Sequence, residues 1–355
     1  MRKLVIDRAA IKNNLTVIKD RAAGAAIYGV LTGDGQGVGT AALAQLLRDE
    51  GIGRFAVSEP AAAAALRKAG FVDEEILMLR ATTDREELER LVDLNVVCTV
   101  SSVDTGMALN ALAGNRSTVA EAHIQVDTGM GFGGFLVGEP EKILLAYRSL
   151  PNVALSGVYT QLHAARPNDP QAKRQLEQFQ QALDAIHDAG FETGVVHAAG
   201  SFALLHGLAP ELDGVRAGSA VLGRCRRTRD DGLKTVGFGQ APLTEVRWLP
   251  KGHVLGVDRP VTLKKPTRVA VLPVGYQNGF GVTRPRETGL LAAIARWRKN
   301  NRRTVRLGSQ RARVLGGLGA SELILDVTDL KCSVGDLATF EMDPLFARGF
   351  QVEFR

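Results

Sequence analysis

The chain is poor in aromatic side chains, cysteine and lysine, and it has no long apolar run. Aromatics make up 5% of its 355 residues, too few for a platform that stacks the bases of a single strand. Three cysteines, Cys98, Cys225 and Cys332, stand far apart. A dispersed, odd-numbered set argues against a disulfide framework and a cysteine-based metal site, and it suits a reducing cytoplasm. No stretch reaches the roughly 18 apolar residues that span a bilayer. The opening MRKLVIDRAAIKNN carries a charge every few residues instead of the apolar core of a signal peptide. Twelve lysines stand against thirty-two arginines, with a formal net charge of +6. Spread over the chain, that excess does not predict a nucleic-acid surface. The six histidines show no metal-ligand spacing, so no metal is expected, and there is no G-x-S-x-G, P-loop or zinc motif.

What the sequence does have is alternation. Short apolar runs suited to buried strands are AAIYGVL, RFAVS, EILMLR, NVVCTV, AHIQVD, ALSGVYT, GVVHAA and the pair GVRA/AVLG. Between them lie segments with apolar residues every three or four positions, such as TAALAQLLRDEG, TDREELERLVDL and QLEQFQQALDAIHDAG. Strands buried on both faces read as unbroken apolar runs, which implies a parallel sheet. About eight strand–helix units over residues 1–225 predict a (β/α)8 barrel in preference to an open doubly wound sheet. Residues 226–355 change character. Short strands with turn signals (LTEVRWL, HVLGV, TRVAVLPV, TVRLGS, ARVLGG, ELILDV, DLATFEM) predict a mostly-β C-terminal domain. Within it, residues 287–303, ETGLLAAIARWRKNNRR, read as a basic amphipathic helix. Such a helix suits an anionic membrane surface or a partner protein; the alternative is a helix packed on its own domain.

Barrels of this kind bind ligands at the C-terminal ends of their strands. Those ends carry Thr32 with the glycines of GVLTGDGQGVG, Glu59, the loop VDTGMGFGG, Gln161, His163, HAAGS at 197–201 and RAGS at 216–219. Small residues beside hydroxyls and amides suit a phosphate, so Ser201, Gly218 and Ser219 are candidate ligand residues, and Arg216 is a candidate partner for a ring nitrogen or an anion. The same residue types also serve close strand–helix packing. His197 by itself reads as either a hydrogen-bonded core histidine or a catalyst. Asp127 is expected to orient its turn through backbone bonds.

These pieces, in this order, resemble the alanine racemase family of fold-type III pyridoxal phosphate enzymes over almost the whole chain. GVLTGDGQGVG resembles the loop A-V-V-K-A-[ND]-A-Y-G-H-G, and VDTGMGFGG resembles V-D-T-G-M-G-R-x-G. HAAGS, GVRAGSAVLG and VLPVGYQNGF resemble H-x-A-N-S, M-V-R-P-G-I-A-L-Y-G and V-P-[VI]-G-Y-A-D-G-[YL]. The resemblance implies a head-to-tail homodimer in which Tyr276 is a catalytic tyrosine lent to the other subunit's barrel, and it suggests a link to cell-wall precursor metabolism. It also marks departures. Thr32 stands where the family's lysine forms the Schiff base, and Gln36 where a loop tyrosine stands. Phe132 replaces an arginine, Gln125 a lysine that is often carbamylated, and Gln161 a histidine. Ala320 and Ser321 replace a Met-Asp pair, and Phe354 a tyrosine. His197, Ser201, Arg216, Gly218 and Tyr276 keep the family's residue types.

An imine needs a primary amine, and a threonine hydroxyl is a poor base near neutral pH. The expectation is therefore a racemase-like protein that does not racemise through covalently held pyridoxal phosphate. It would bind a small anionic or phosphorylated ligand, non-covalent pyridoxal phosphate included, or serve as a dimeric partner. The alternative is an enzyme with altered chemistry that uses Tyr276 and His197.

Overall fold

The computed structural model describes residues 1–163, 169–208, 212–225, 231–256, 260–282 and 303–355. The predicted helix at 287–303 lies outside the described residues apart from Arg303. The chain divides into two compact units, Ala9–Thr235 and Met1–Arg8 joined with Val236–Arg355.

The chain opens on β1 (Lys3–Ile6), a strand of the smaller unit. The larger unit holds β2 (Ala26–Val30), β3 (Arg54–Val57), β4 (Glu75–Met78), β5 (Cys98–Val100) and β6 (Ala120–Asp127). It continues with β7 (Phe135–Leu136), β8 (Val153–Tyr159), β9 (Val195–Gly200) and β10 (Gly214–Ala217). The parallel order is β4-β3-β2-β10-β9-β8-β6-β5, with β7 paired to β6 off this path. A bridge between Leu77 and Val97 brings β4 to β5: Met78 N donates to Val97 O and Val97 N to Ile76 O, both at 2.9 Å. The result is an eight-stranded parallel barrel. Its strands are covered on both faces, which is why AIYGV and EILM lack polar alternation. Tyr28, Ala56, Leu77 and Val97 form a buried cluster.

The outer helices begin where side chains satisfy free amides. Asp84 accepts from Glu87 N at 2.9 Å. Ser102 Oγ accepts from Thr105 N at 3.2 Å while Thr105 Oγ1 accepts from Ser102 N at 3.0 Å. Pro60, Pro140 and Pro170 open helices at positions that need no amide.

The smaller unit contains β11 (Phe238–Pro242), β12 (Glu245–Leu249), β13 (Val254–Leu255), β14 (Val261–Thr262) and β15 (Thr267–Leu272). Then follow β16 (Thr304–Leu307), β17 (Gln310–Leu315), β18 (Leu323–Asp326), β19 (Leu337–Glu341) and β20 (Gln351–Phe354). Its main sheet runs β12-β15-β18-β17-β16-β19-β11-β1-β20, and β13 and β14 form a separate pair.

Three sequence expectations need correction. A barrel spanning 1–225 would include the opening strand, yet β1 lies between β11, antiparallel, and β20, parallel. A barrel closed by eight strands offers β1 no edge, whereas the β-sheet does. AVLG is a turn and not a strand: Val221 N donates to Gly218 O at 3.0 Å and Gly223 N to Ala220 O at 2.9 Å. The predicted strands of the second domain begin only at LTEVRWL, yet VGFGQ before it supplies most of β11, and QVEF at the chain's end forms β20. Among the described residues no helix is long and apolar enough to cross a membrane, and no His/Cys/Asp/Glu group is arranged to hold a metal.

Candidate functional site

The residues after β2 form a left-handed turn. Gly33, Asp34, Gly35, Gln36 and Gly37 have φ of 67°, 53°, 60°, 56° and 83°. Each L-residue in this conformation costs about 1–2 kcal/mol, so glycines fill three of the five places. A Cβ on Gly35 would also lie 2.9 Å from Thr40 N. Asp34 offsets its own strain by accepting from Thr40 N at 2.9 Å and Thr40 Oγ1 at 3.0 Å. Gln36, buried, donates through Nε2 to both Thr32 O and Thr32 Oγ1 at 3.1 Å. Thr32 thus closes the end of β2 with its hydroxyl held by Gln36.

The end of β10 approaches this turn closely. A Cβ on Gly218 would lie 3.1 Å from Val30 Cβ and 3.6 Å from Gln36 Nε2. Ser201 Oγ accepts from Gly218 N at 2.9 Å and Ala220 N at 3.1 Å. Its hydroxyl proton is left to donate elsewhere. The structure therefore brings Thr32, Gln36, Ser201, Gly218 and Ser219 together at the C-terminal end of the barrel.

Arg216 is 4% exposed. Its Nη1 lies 2.5 Å from His197 Nδ1 and donates to His197 O at 3.2 Å. Its Nη2 donates to Thr160 O at 2.7 Å, Gln161 Oε1 at 2.9 Å and Ala198 O at 3.3 Å. Burial lowers the guanidinium to about 10, so it stays charged at neutral pH.

His197 is fully buried between two parallel rings, Tyr28 at 5.1 Å and Tyr159 at 5.0 Å between centroids. Its second nitrogen, Nε2, lies 3.0 Å from His123 Nδ1. Burial first, then Arg216 and His123, holds His197 well below the ordinary histidine range. With both nitrogens engaged and no open face, His197 positions Arg216 and is not available to attack or protonate a substrate. The candidate catalytic histidine is thus a supporting residue. His123, absent from the sequence candidates, is the group that supports it in turn.

Other predicted positions line the barrel end without joining this network. Asp127 accepts from the amides of Gly129, Met130 and Gly131 at 2.8–3.1 Å, which shapes the VDTGMGFGG turn. Phe132, on that turn, is 77% exposed. A Cβ on Gly133 would lie 3.9 Å from Gln125 Oε1. His163 N donates to Gln175 Oε1 at 2.7 Å, and Glu59 precedes the helix Pro60–Lys68. A cavity of about 610 Å³ opens at the other end of the barrel, beside Lys19, Ala26 and Arg54, and contains none of the predicted residues.

In the smaller unit Tyr276 opens the short turn Tyr276–Asn278 and is 49% exposed. Tyr276 N donates to Gly319 O at 3.1 Å and Gln277 N to Ala320 O at 3.0 Å. Tyr276 is thereby tied to the segment of Ala320 and Ser321. Gly275 has to be glycine there, since a Cβ would lie 2.1 Å from Ala320 O. Phe354 ends β20, with the Arg8 guanidinium 5.2 Å from its ring centroid.

A closed parallel barrel followed by a mostly-β unit, with the hydroxyl-and-glycine cradle at the strand ends, defines the fold-type III class. Residues 6–225 match the alanine racemase N-terminal domain and residues 239–343 the alanine racemase C-terminal domain, and the chain belongs to the alanine racemase family. It is 30% identical to the alanine racemase of Desulfovibrio desulfuricans over 341 residues, 93% of this chain and 86% of that protein. The alanine racemase of the D-cycloserine producer Streptomyces lavendulae superposes with a TM-score of 0.85 at 21% identity, covering 100% of this chain and 97% of the other. That of Bartonella henselae, solved with covalently bound pyridoxal phosphate, gives 0.83 at 20% identity, covering 100% and 99%.

Proposed function

We propose that this member of the family does not racemise amino acids through covalently held pyridoxal phosphate, and that its barrel mouth takes a small anionic or phosphorylated ligand non-covalently. The observation that carries this is Thr32. The residue closing β2 is a hydroxyl amino acid, held by Gln36, and a hydroxyl cannot form an imine. In the barrel unit Lys12, Lys19, Lys68, Lys142 and Lys173 lie on helices, and Lys234 follows β10 in an irregular segment. Among the described residues of the barrel unit no amine stands at the C-terminal end of a strand, so the donor set there does not fit a covalently anchored coenzyme. The loss of a general base alone lowers a rate by about 10²–10⁴-fold. What the mouth retains is the Ser201 hydroxyl beside Gly218 and Ser219, residue types that suit a phosphate. The test is reductive trapping. After incubation with pyridoxal phosphate and D- or L-alanine and removal of free coenzyme, the protein is expected to carry no borohydride-trappable adduct at the barrel mouth and to show no turnover. A trappable adduct with turnover overturns the reading.

A second reading, an enzyme with altered chemistry, draws on Tyr276, whose ring is half exposed on a tightly tied turn. It would act without His197. A Tyr276→Phe variant equal to wild type in every turnover assay removes it. For either reading we infer a cytoplasmic homodimer with two composite sites, each completed by Tyr276 of the other subunit. The exposed Phe132 on its rigid turn supports a covered surface there.

A further inference from the structure

The Arg216 guanidinium is buried with an entirely neutral set of acceptors. They are one ring nitrogen of His197, the carbonyls of Thr160, His197 and Ala198, and the carboxamide oxygen of Gln161. Among the described residues no carboxylate forms an ion pair with it. A buried cation without a counter-charge is costly, and an anion supplied from outside recovers part of that cost.

The five acceptors are not equivalent. Three are main-chain carbonyls of β9 or of the residue after β8, and the fourth is the clamped ring of His197. Gln161 alone reaches Arg216 from an exposed residue. Its other end is weakly held, with Nε2 3.5 Å from Leu162 O. The amide lies against the turn that leads to Ser201: a Cβ on Gly200 would be 3.4 Å from Gln161 Nε2. A carboxamide and a carboxylate share a planar, three-substituent shape. They differ in the charge that Arg216 lacks a partner for.

We infer that Gln161 stands in on Arg216 for the carboxylate of a small organic acid, which enters the barrel mouth by displacing the Gln161 side chain. This rests on the reading that the mouth takes a non-covalent anion, and it narrows that ligand to one carrying a carboxylate. One oxygen of the acid replaces Gln161 Oε1 on Nη2. The new hydrogen bond is charge-assisted on both sides, and such bonds are about twice as strong as neutral ones.

The test uses the full chain and thermal melting in three anions, with sodium chloride setting a constant ionic strength. Acetate is expected to raise Tm saturably in the wild type. Gln161→Glu supplies the carboxylate from within, so its Tm without acetate should exceed that of the wild type and its response to acetate should vanish. Gln161→Ala removes the competitor. Half-saturation should then fall about tenfold, the equivalent of about 1.4 kcal/mol no longer used to break the Gln161 bond. An acetate response that is the same in all three proteins, or absent in both wild type and Gln161→Ala, overturns the inference. Inorganic phosphate is titrated in parallel with Ser201→Ala. Loss of the phosphate response tests the phosphate cradle, so that reading fails or stands separately from the acetate result.

Discussion

His123 Nδ1 and His197 Nε2 share a hydrogen bond of 3.0 Å inside the barrel. Its direction follows from Arg216, which has no acceptor to offer. The guanidinium donates to His197 Nδ1, so His197 carries its proton on Nε2 and donates it to His123 Nδ1; His123 then carries its proton on Nε2. The arrangement needs both rings neutral. A second proton on either would face another N–H and add charge beside a buried cation.

Acid should therefore unfold the protein earlier than an ordinary carboxylate balance requires. Burial, then Arg216 and Arg54, lowers His123 to about 4 from its usual 6.5, and His197 is lowered too. Between these values the unfolded chain binds protons that the folded chain refuses. Stability is fully present above about pH 6.5 and is lost as pH falls toward 4, by up to about 1.4 kcal/mol per pH unit for each histidine. Urea melts between pH 4.5 and 7.5 measure the slope. His123→Gln should flatten part of it, and a slope unchanged by that substitution would refute the assignment.

The left-handed turn is a second point of stress. Gly35→Ala forces a Cβ to 2.9 Å from Thr40 N at a φ of +60°. The conformation and the contact together should lower stability by about 2–4 kcal/mol. Thr40→Val should cost less, because it removes only the hydroxyl donor to Asp34 and leaves the Thr40 N bond in place. Chemical denaturation of both variants ranks them; equal losses would contradict this account of the turn.

Much of this was legible from residues alone, for physical reasons. Parallel barrel strands are apolar throughout, so AIYGV, RFAV and EILM announced themselves, and apolar residues every three or four positions marked the helices between them. The glycines of GVLTGDGQGVG signalled a backbone with positive φ, though not that Asp34 and Gln36 adopt it as well. His123 stayed hidden because AHIQVD reads as an apolar strand, and nothing local says that its histidine points inward to meet His197. The opening LVI run reads equally well in either unit. Its partners, β11 and β20, lie at the far end of the chain, and only pairing decides between them. Gln161 looked like a lost histidine, and its bond to Arg216 needed the strands β8 and β10 side by side with β9.

Assembly offers an independent check. Phe132, on the turn shaped by Asp127, is 77% exposed, and Leu136, at the end of β7, is 52% exposed. A rigid turn that presents a phenyl ring to water suits a surface covered by a second copy. Phe132→Asp should shift a dimer toward monomer in light scattering without changing the far-ultraviolet circular dichroism. A wild-type monomer at micromolar concentration would refute the homodimer.

The most direct trial of the site restores what the family pattern has and this chain lacks. Thr32→Lys places an amine at the end of β2, next to the cradle of Ser201 and Gly218. The substitution loses the Gln36 bond to the hydroxyl and keeps the one to Thr32 O, so the turn should survive. If the absent amine is what prevents covalent attachment, borohydride reduction with pyridoxal phosphate should add the coenzyme's mass at position 32 in the variant and at no barrel-mouth residue of the wild type. Alanine turnover should remain absent, because Phe132, Gln36 and Gln161 are unchanged. An adduct at the mouth of the wild-type barrel would overturn the reading of Thr32. A variant that folds but traps nothing would mean that the mouth excludes the coenzyme altogether, leaving a ligand of different shape for Arg216 and Ser201.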